Sequence, residues 1–209
     1  MRVILSIFVF GFIGCGGPSS PVPPATPATT APAGMSKYAY LAADGGPHML
    51  LPAEASALWT GASSMAAVVN PKSDYGRACA ATVNAQMAVI PVGATSALVF
   101  SDPPMTAWGT STDGLVEIYY LDAWTNTNLD ALVAKATASL TTASMTDSGT
   151  VFQLNEPDAY LLYAGDTPTS TAYGVHRVTI PAGKYKVMTG TYTAKGESVT
   201  VYRLKPAGT

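Results

Sequence analysis

Beyond residue 36 the chain is built from short apolar or alternating runs, most of them closed by Gly, Pro, Asp or Asn. KYAYLA (37–42), HMLL (48–51), MAVIPV (87–92), SALVF (96–100), LVEIYYL (115–121), VFQL (151–154) and AYLLYA (159–164) have the length and β-branched or aromatic content of strands. VHRVTI (175–180), KYKVMTGTY (184–192) and ESVTVYRL (197–204) follow with joins at Pro181-Ala182-Gly183 and Ala194-Lys195-Gly196, which predicts a C-terminal meander. Helical spacing is rarer. Leu129, Leu132, Val133 and Ala136 recur on one face after Asn128, a good N-cap, which predicts a helix over 128–139. A shorter helix is expected over Pro52–Trp59, with Pro52 near its start. Strands that bury one face on a helix make an α+β domain: a largely antiparallel sheet, one main helix and the C-terminal meander. No internal repeat is visible, and residues 35–209 have a length typical of one domain.

The first 34 residues follow a different pattern. Arg2 precedes an apolar run, Val3 to Ile13, that ends in Gly14, as in a secretory signal. The run is too short to cross a bilayer core, which takes about 20 residues as a helix. Phe12-Ile13-Gly14-Cys15 resembles the box of a bacterial lipoprotein signal, cut before the cysteine, whose thiol is then acylated. Phe12 departs from the aliphatic residue usual there. The alternative is ordinary secretion, with Cys15 incidental or paired with Cys79 in a disulfide. Residues 16–34, GGPSSPVPPATPATTAPAG, hold no charge and no aromatic ring. Such a segment cannot bury enough surface to offset its ordering entropy, and its composition suits a disordered spacer. The expected organisation is a signal over 1–14, an acylated Cys15 with its spacer to residue 34, and a domain over 35–209 at the cell envelope.

Charge changes the picture little. The chain is 11% charged with net charge −2, so bulk charge gives no nucleic-acid binder. The distribution is uneven. Lys37, Lys72, Arg77 and Lys135 face twelve Asp and Glu up to Asp166, whereas from Thr167 onward six Lys and Arg face Glu197 alone. Either the acids are scattered over solvated loops or they form a face for a basic partner. Cys79, among Arg77-Ala78 and Ala80-Ala81, is expected to be a buried structural thiol. Without CxxC or Cys/His clusters no metal site is expected, and no cofactor. The two histidines sit beside strand residues: His48 at a strand entrance, His176 on the face of Val178 and Ile180. Packing or hydrogen bonding is the expected role for each. Nothing matches a nucleophile elbow or a phosphate loop. Asp74 and Asp102 are candidate acids, yet turn chemistry calls for Asp at such places anyway. Trp59, Trp108 and Trp124, with eleven tyrosines, supply amphipathic rings of the kind that anchor protein interfaces.

Several stretches, in order, resemble the immunity protein 21 family of bacterial polymorphic toxin systems. They are Asp44-Gly45-Gly46-Pro47-His48-Met49-Leu50-Leu51-Pro52 with Trp59-Thr60-Gly61, then Ser73-Asp74-Tyr75-Gly76-Arg77-Ala78-Cys79. Ala88-Val89-Ile90-Pro91-Val92-Gly93 and Ala97-Leu98-Val99-Phe100-Ser101-Asp102-Pro103-Pro104-Met105-Thr106 complete the set. Ser101 and Pro103 stand where the family tends to have Gly and an acidic residue. The resemblance is dense from about residue 38 to 124 and thinner beyond.

It implies a non-enzymatic protein that neutralises a cognate toxin by binding it, with Trp59, Asp74, Tyr75, Arg77, Asp102 and Trp108 as family-motif or toxin-interface candidates. With the export signal, it implies a membrane-tethered immunity protein whose toxin acts in or is met at the envelope. The alternative is an envelope lipoprotein with a structural or ligand-binding role and no toxin partner. An enzyme ranks third, since it requires Asp74, Asp102 or a histidine to meet in one cleft.

Overall fold

The computed structural model describes residues 38–42, 45–62, 70–101, 103, 105–121, 128–170, 173–194 and 196–208. The leader, Cys15, the spacer, Asp102 and Trp124 lie outside the described residues.

Eleven described strands form two antiparallel sheets. In chain order they are β1 (Ala39–Ala42), β2 (His48–Pro52), β3 (Met87–Val92), β4 (Thr95–Phe100), β5 (Met105–Thr110), β6 (Val116–Leu121), β7 (Thr146–Leu154), β8 (Ala159–Tyr163), β9 (Val175–Val178), β10 (Gly183–Ala194) and β11 (Glu197–Pro206). One sheet runs β1-β5-β6-β11-β10-β7, the other β3-β4-β2-β8-β9. Their inner faces meet in a core that includes Leu50, Leu98, Phe100, Ile118, Phe152, Leu161, Val187 and Tyr202.

Each outer face has its own cover. Helix α1 (Asp74–Thr82) and a 3-10 turn over Ala53–Leu58 lie on the five-stranded sheet, where Ala55, Trp59, Tyr75, Ala78 and Cys79 pack on Met49, Leu51, Ile90, Val99 and Leu162. Helix α2 (Leu129–Ser139) lies on the six-stranded sheet, where Leu132, Val133 and Ala136 meet Tyr119, Leu121, Val199 and Val201. The order is therefore α1, sheet, sheet, α2. A strand between two covered faces buries successive side chains on opposite sides. That is why β2 and β6 are apolar almost throughout and buried at every position.

The largely antiparallel α+β expectation holds at this level, with four corrections. The helical part is minor and split: α1 and α2 are of similar length and serve different sheets. Ser73-Asp74-Tyr75-Gly76 reads as a turn, but the Ser73 hydroxyl oxygen accepts from the Gly76 N–H at 3.0 Å and starts α1. Glycine is needed there because a Cβ on Gly76 would strike the Asn70 carbonyl. The C-terminal meander is also broken. β9 pairs with β8 in one sheet while β10 pairs with β11 and β7 in the other, so Ile180–Ala182 is a crossover and only β10–β11 is a hairpin. Asp158 fixes that crossover: its N–H donates to the Ile180 carbonyl at 2.8 Å, and its carboxylate binds Arg177 at 2.6 Å. Finally, β5 goes unannounced, because Met-Thr-Ala-Trp-Gly-Thr lacks an aliphatic alternation.

The α2 expectation is met in detail. Asn128 Oδ1 accepts from the Ala131 N–H at 3.1 Å, and Pro52 precedes the 3-10 turn as expected of a helix start. Cys79 is a buried thiol on the inner face of α1.

Part of the uneven charge is paired by folding. Three C-terminal cations return to upstream acids: Arg177 to Asp158, Lys186 to Asp147 and Arg203 to Glu117.

Candidate functional site

The family-like stretches come together on one half of the molecule. They supply β2, the 3-10 turn and its exit, α1, β3 and β4, which are most of the five-stranded sheet and its outer layer.

Trp59 leaves the 3-10 turn with its ring under α1, 2% exposed, and its Nε1–H donates to the Ala164 carbonyl at 3.0 Å. One turn of chain later, the Thr60 N–H and hydroxyl both donate to Asp74 Oδ2, at 2.7 and 2.8 Å. Arg77, one helical turn beyond Asp74, donates to Asp74 Oδ1 at 2.6 Å and to the Pro91 carbonyl of β3 at 2.8 Å. Its guanidinium carbon lies 6.0 Å from the Trp59 ring centroid. Burial works to raise the pKa of Asp74, but the bonds from Thr60 and Arg77 outweigh it and hold the carboxyl below its ordinary value. Asp74 thus fastens the Trp59 loop, α1 and, through Arg77, the sheet edge.

On the other side of α1, the Tyr163 hydroxyl of β8 donates to the Tyr75 hydroxyl at 3.0 Å. Burial raises the pKa of both phenols, that of Tyr163 to about 12. Gly46, with φ +98°, passes against these two rings, and a Cβ there would strike the Tyr75 hydroxyl. The same demand acts at Gly61, whose φ is +60° and whose Cβ would strike the Gly165 carbonyl. Ala62 N–H bonds that carbonyl at 2.8 Å. The glycines and aromatics of the motif are therefore one packed joint.

Trp59, Asp74, Tyr75 and Arg77 belong to this joint, and Trp108 does not. Trp108 lies half-buried on β5, against the core between the sheets, and its Nε1–H has no hydrogen-bond partner among the described residues. Asp74 and the two histidines occupy separate places: His48 lies between the sheets, His176 at the β1–β9 edge. Among the described residues no group of His, Cys, Asp and Glu is arranged to hold a metal. Removing the Asp74 carboxylate should loosen the joint without opening the core. Asp74→Ala is expected to cost about 2 kcal/mol, the order of a lost charge-assisted hydrogen-bond set, measured as a shift in urea midpoint.

Sequence reasoning missed a second polar cluster. Glu117 on β6 and Arg203 on β11 face each other in register, 0% and 2% exposed at the side chain. Arg203 Nε–H donates to Glu117 Oε1 at 2.8 Å, and its other nitrogens reach the Leu140 carbonyl at 2.6 Å and Thr142 Oγ1 at 2.8 Å. Glu117 Oε2 accepts from Tyr119 at 2.7 Å and from Thr137 at 3.1 Å. The available signal was a lone charge in each of two apolar runs, LVEIYYL and VTVYRL.

In this fold the polar residues of the joint and of the Glu117–Arg203 cluster bond one layer to the next. The family model for immunity protein 21 matches residues 39–198, and the chain belongs to that family. No curated protein and no solved structure matches it.

Proposed function

We propose that the chain is a membrane-tethered immunity protein that neutralises a cognate bacterial toxin by binding it directly. The family match over residues 39–198, which takes in both helices and every described strand except most of β11, is the observation that carries this reading. Cys15, acylated, would anchor the domain through the spacer of residues 16–34, and the toxin would be one that acts in, or is met at, the cell envelope. Within the candidate set, buried Trp59 and Tyr75 shape the surface, whereas Arg77, with a third of its side chain exposed, and half-buried Trp108 can touch a partner.

The test is survival of cells expressing the toxin encoded beside this chain's gene. The full chain is expected to protect, and Asp102→Ala to lose protection while keeping its melting temperature if Asp102 contacts the toxin. Absence of protection by the wild-type chain would favour an envelope protein without a toxin partner. Cys15→Ser is expected to move the protein from the membrane to the soluble fraction, and unchanged fractionation would remove the anchor.

A further inference from the structure

Both histidines of the chain reach from one sheet to the other, and they reach neighbouring places. His48, on β2, places Nδ1 2.8 Å from the Thr106 hydroxyl of β5. His176, on β9, places Nε2 2.6 Å from the Tyr40 carbonyl of β1. β1 and β5 form the ribbon at one edge of the six-stranded sheet, where Tyr40 lies opposite Ala107 and Leu41 opposite Thr106. The two imidazoles therefore pin one ribbon at adjacent levels.

We propose that this pair is a clasp between the sheets whose His48 half opens in acid, parting β5 from β2 while His176 keeps β1 fastened to β9.

The two halves differ in chemistry. A carbonyl oxygen accepts only, so His176 Nε2 donates, and both the neutral ring and the imidazolium supply that N–H. Acid leaves this contact intact. His48 is 0% exposed, and its Nε2 has no hydrogen-bond partner among the described residues. Protonation would bury a charge and a second N–H there, which is costly without an acceptor. The groups facing His48 are Thr106 from β5, its register partner Phe100 from β4 and, edge-on at 6.3 Å, Tyr163 from β8. No carboxylate of the described residues bonds it; Asp44 and Asp102, near β2 and β4 in sequence, lie outside them.

Burial pushes the His48 ring down to about 3 from its ordinary 6.5. An opened, hydrated ring titrates near the ordinary value, so below pH 6.5 the open form binds the extra proton. The closed form is fully favoured above that pH and loses ground as pH falls toward 3. The opening constant rises ever more steeply below pH 6.5, approaching about tenfold per pH unit in the middle of that window.

Hydrogen exchange on the full chain, read by mass spectrometry and corrected for the intrinsic pH dependence of amide exchange, tests this. From pH 6.5 to 4.5 the opening constant of β2 and β5 peptides is expected to rise about 50-fold, with β9 peptides changing less. His48→Gln, or His48→Met if the glutamine variant fails to fold, should flatten that slope, and His176→Gln should keep it. A slope that persists without His48, or disappears without His176, overturns the proposal. So does a His48 ring resonance in the folded wild-type protein that titrates near 6.5.

Discussion

Glu117→Ala is expected to lower the unfolding free energy by about 3–5 kcal/mol, because it leaves the Arg203 guanidinium buried without its counter-charge. The Leu140 carbonyl and Thr142 hydroxyl would remain as acceptors for Arg203, but neither carries charge. Tyr119 and Thr137 would lose their shared acceptor as well, although their hydroxyls already bond each other at 3.0 Å. Urea denaturation followed by far-UV circular dichroism should show the midpoint falling at nearly constant slope. The double variant Glu117→Leu with Arg203→Met should recover most of the loss, since an apolar pair needs no desolvated partner. Lys186→Ala is the internal contrast. That pair is about half exposed on both sides, and solvent screens such pairs until they contribute little. A Glu117→Ala cost no larger than that of Lys186→Ala would show that the Arg203 network does not hold α2 to the sheet.

The same two residues show what a sequence makes visible and what it hides. Strand existence was legible because periodicity is local: β3 spans Met87–Val92, as its apolar run predicts, and Asn128 caps α2 where expected. Pairing is not local. Nothing in VHRVTI or KYKVMTGTY says that the first belongs to one sheet and the second to the other. That choice depends on Asp158 and on β8 having a free edge for β9. Helix α1 was hidden for another reason. Its buried face holds Tyr75, Gly76, Ala78, Cys79 and Thr82, and the small residues among them leave little hydrophobic signal. The candidate site was half legible. Its motifs named Trp59, Asp74, Tyr75 and Arg77, but Tyr163, which closes the joint from β8, carries no mark beyond its place in an apolar run. Part of the charge pairing was illegible for the same reason as the meander. Arg177, Lys186 and Arg203 are far in sequence from Asp158, Asp147 and Glu117, and only the fold brings them together.

Trp59→Ala should cost a comparable amount, about 3–5 kcal/mol, and its effect should spread differently. The ring is 2% exposed between α1 and the five-stranded sheet, so its removal leaves a cavity bordered by Cys79, Ala78 and Leu162. The Ala164 carbonyl loses its donor, and Arg77 loses the ring it lies over. Gly61, two residues on, is held in a left-handed conformation against Gly165, so the chain there has little freedom to collapse into the space. Trp59→Phe separates the contributions: it keeps most of the packing and removes the indole donor, and about 1 to 2 kcal/mol is expected for that loss. Exchange should rise mainly in α1 and β8, with α2 on the opposite sheet nearly unchanged, because the two covers share no core cluster. If Trp59→Ala instead left stability unchanged and abolished only protection against a toxin, the residue would belong to the binding surface and not to the joint beneath it.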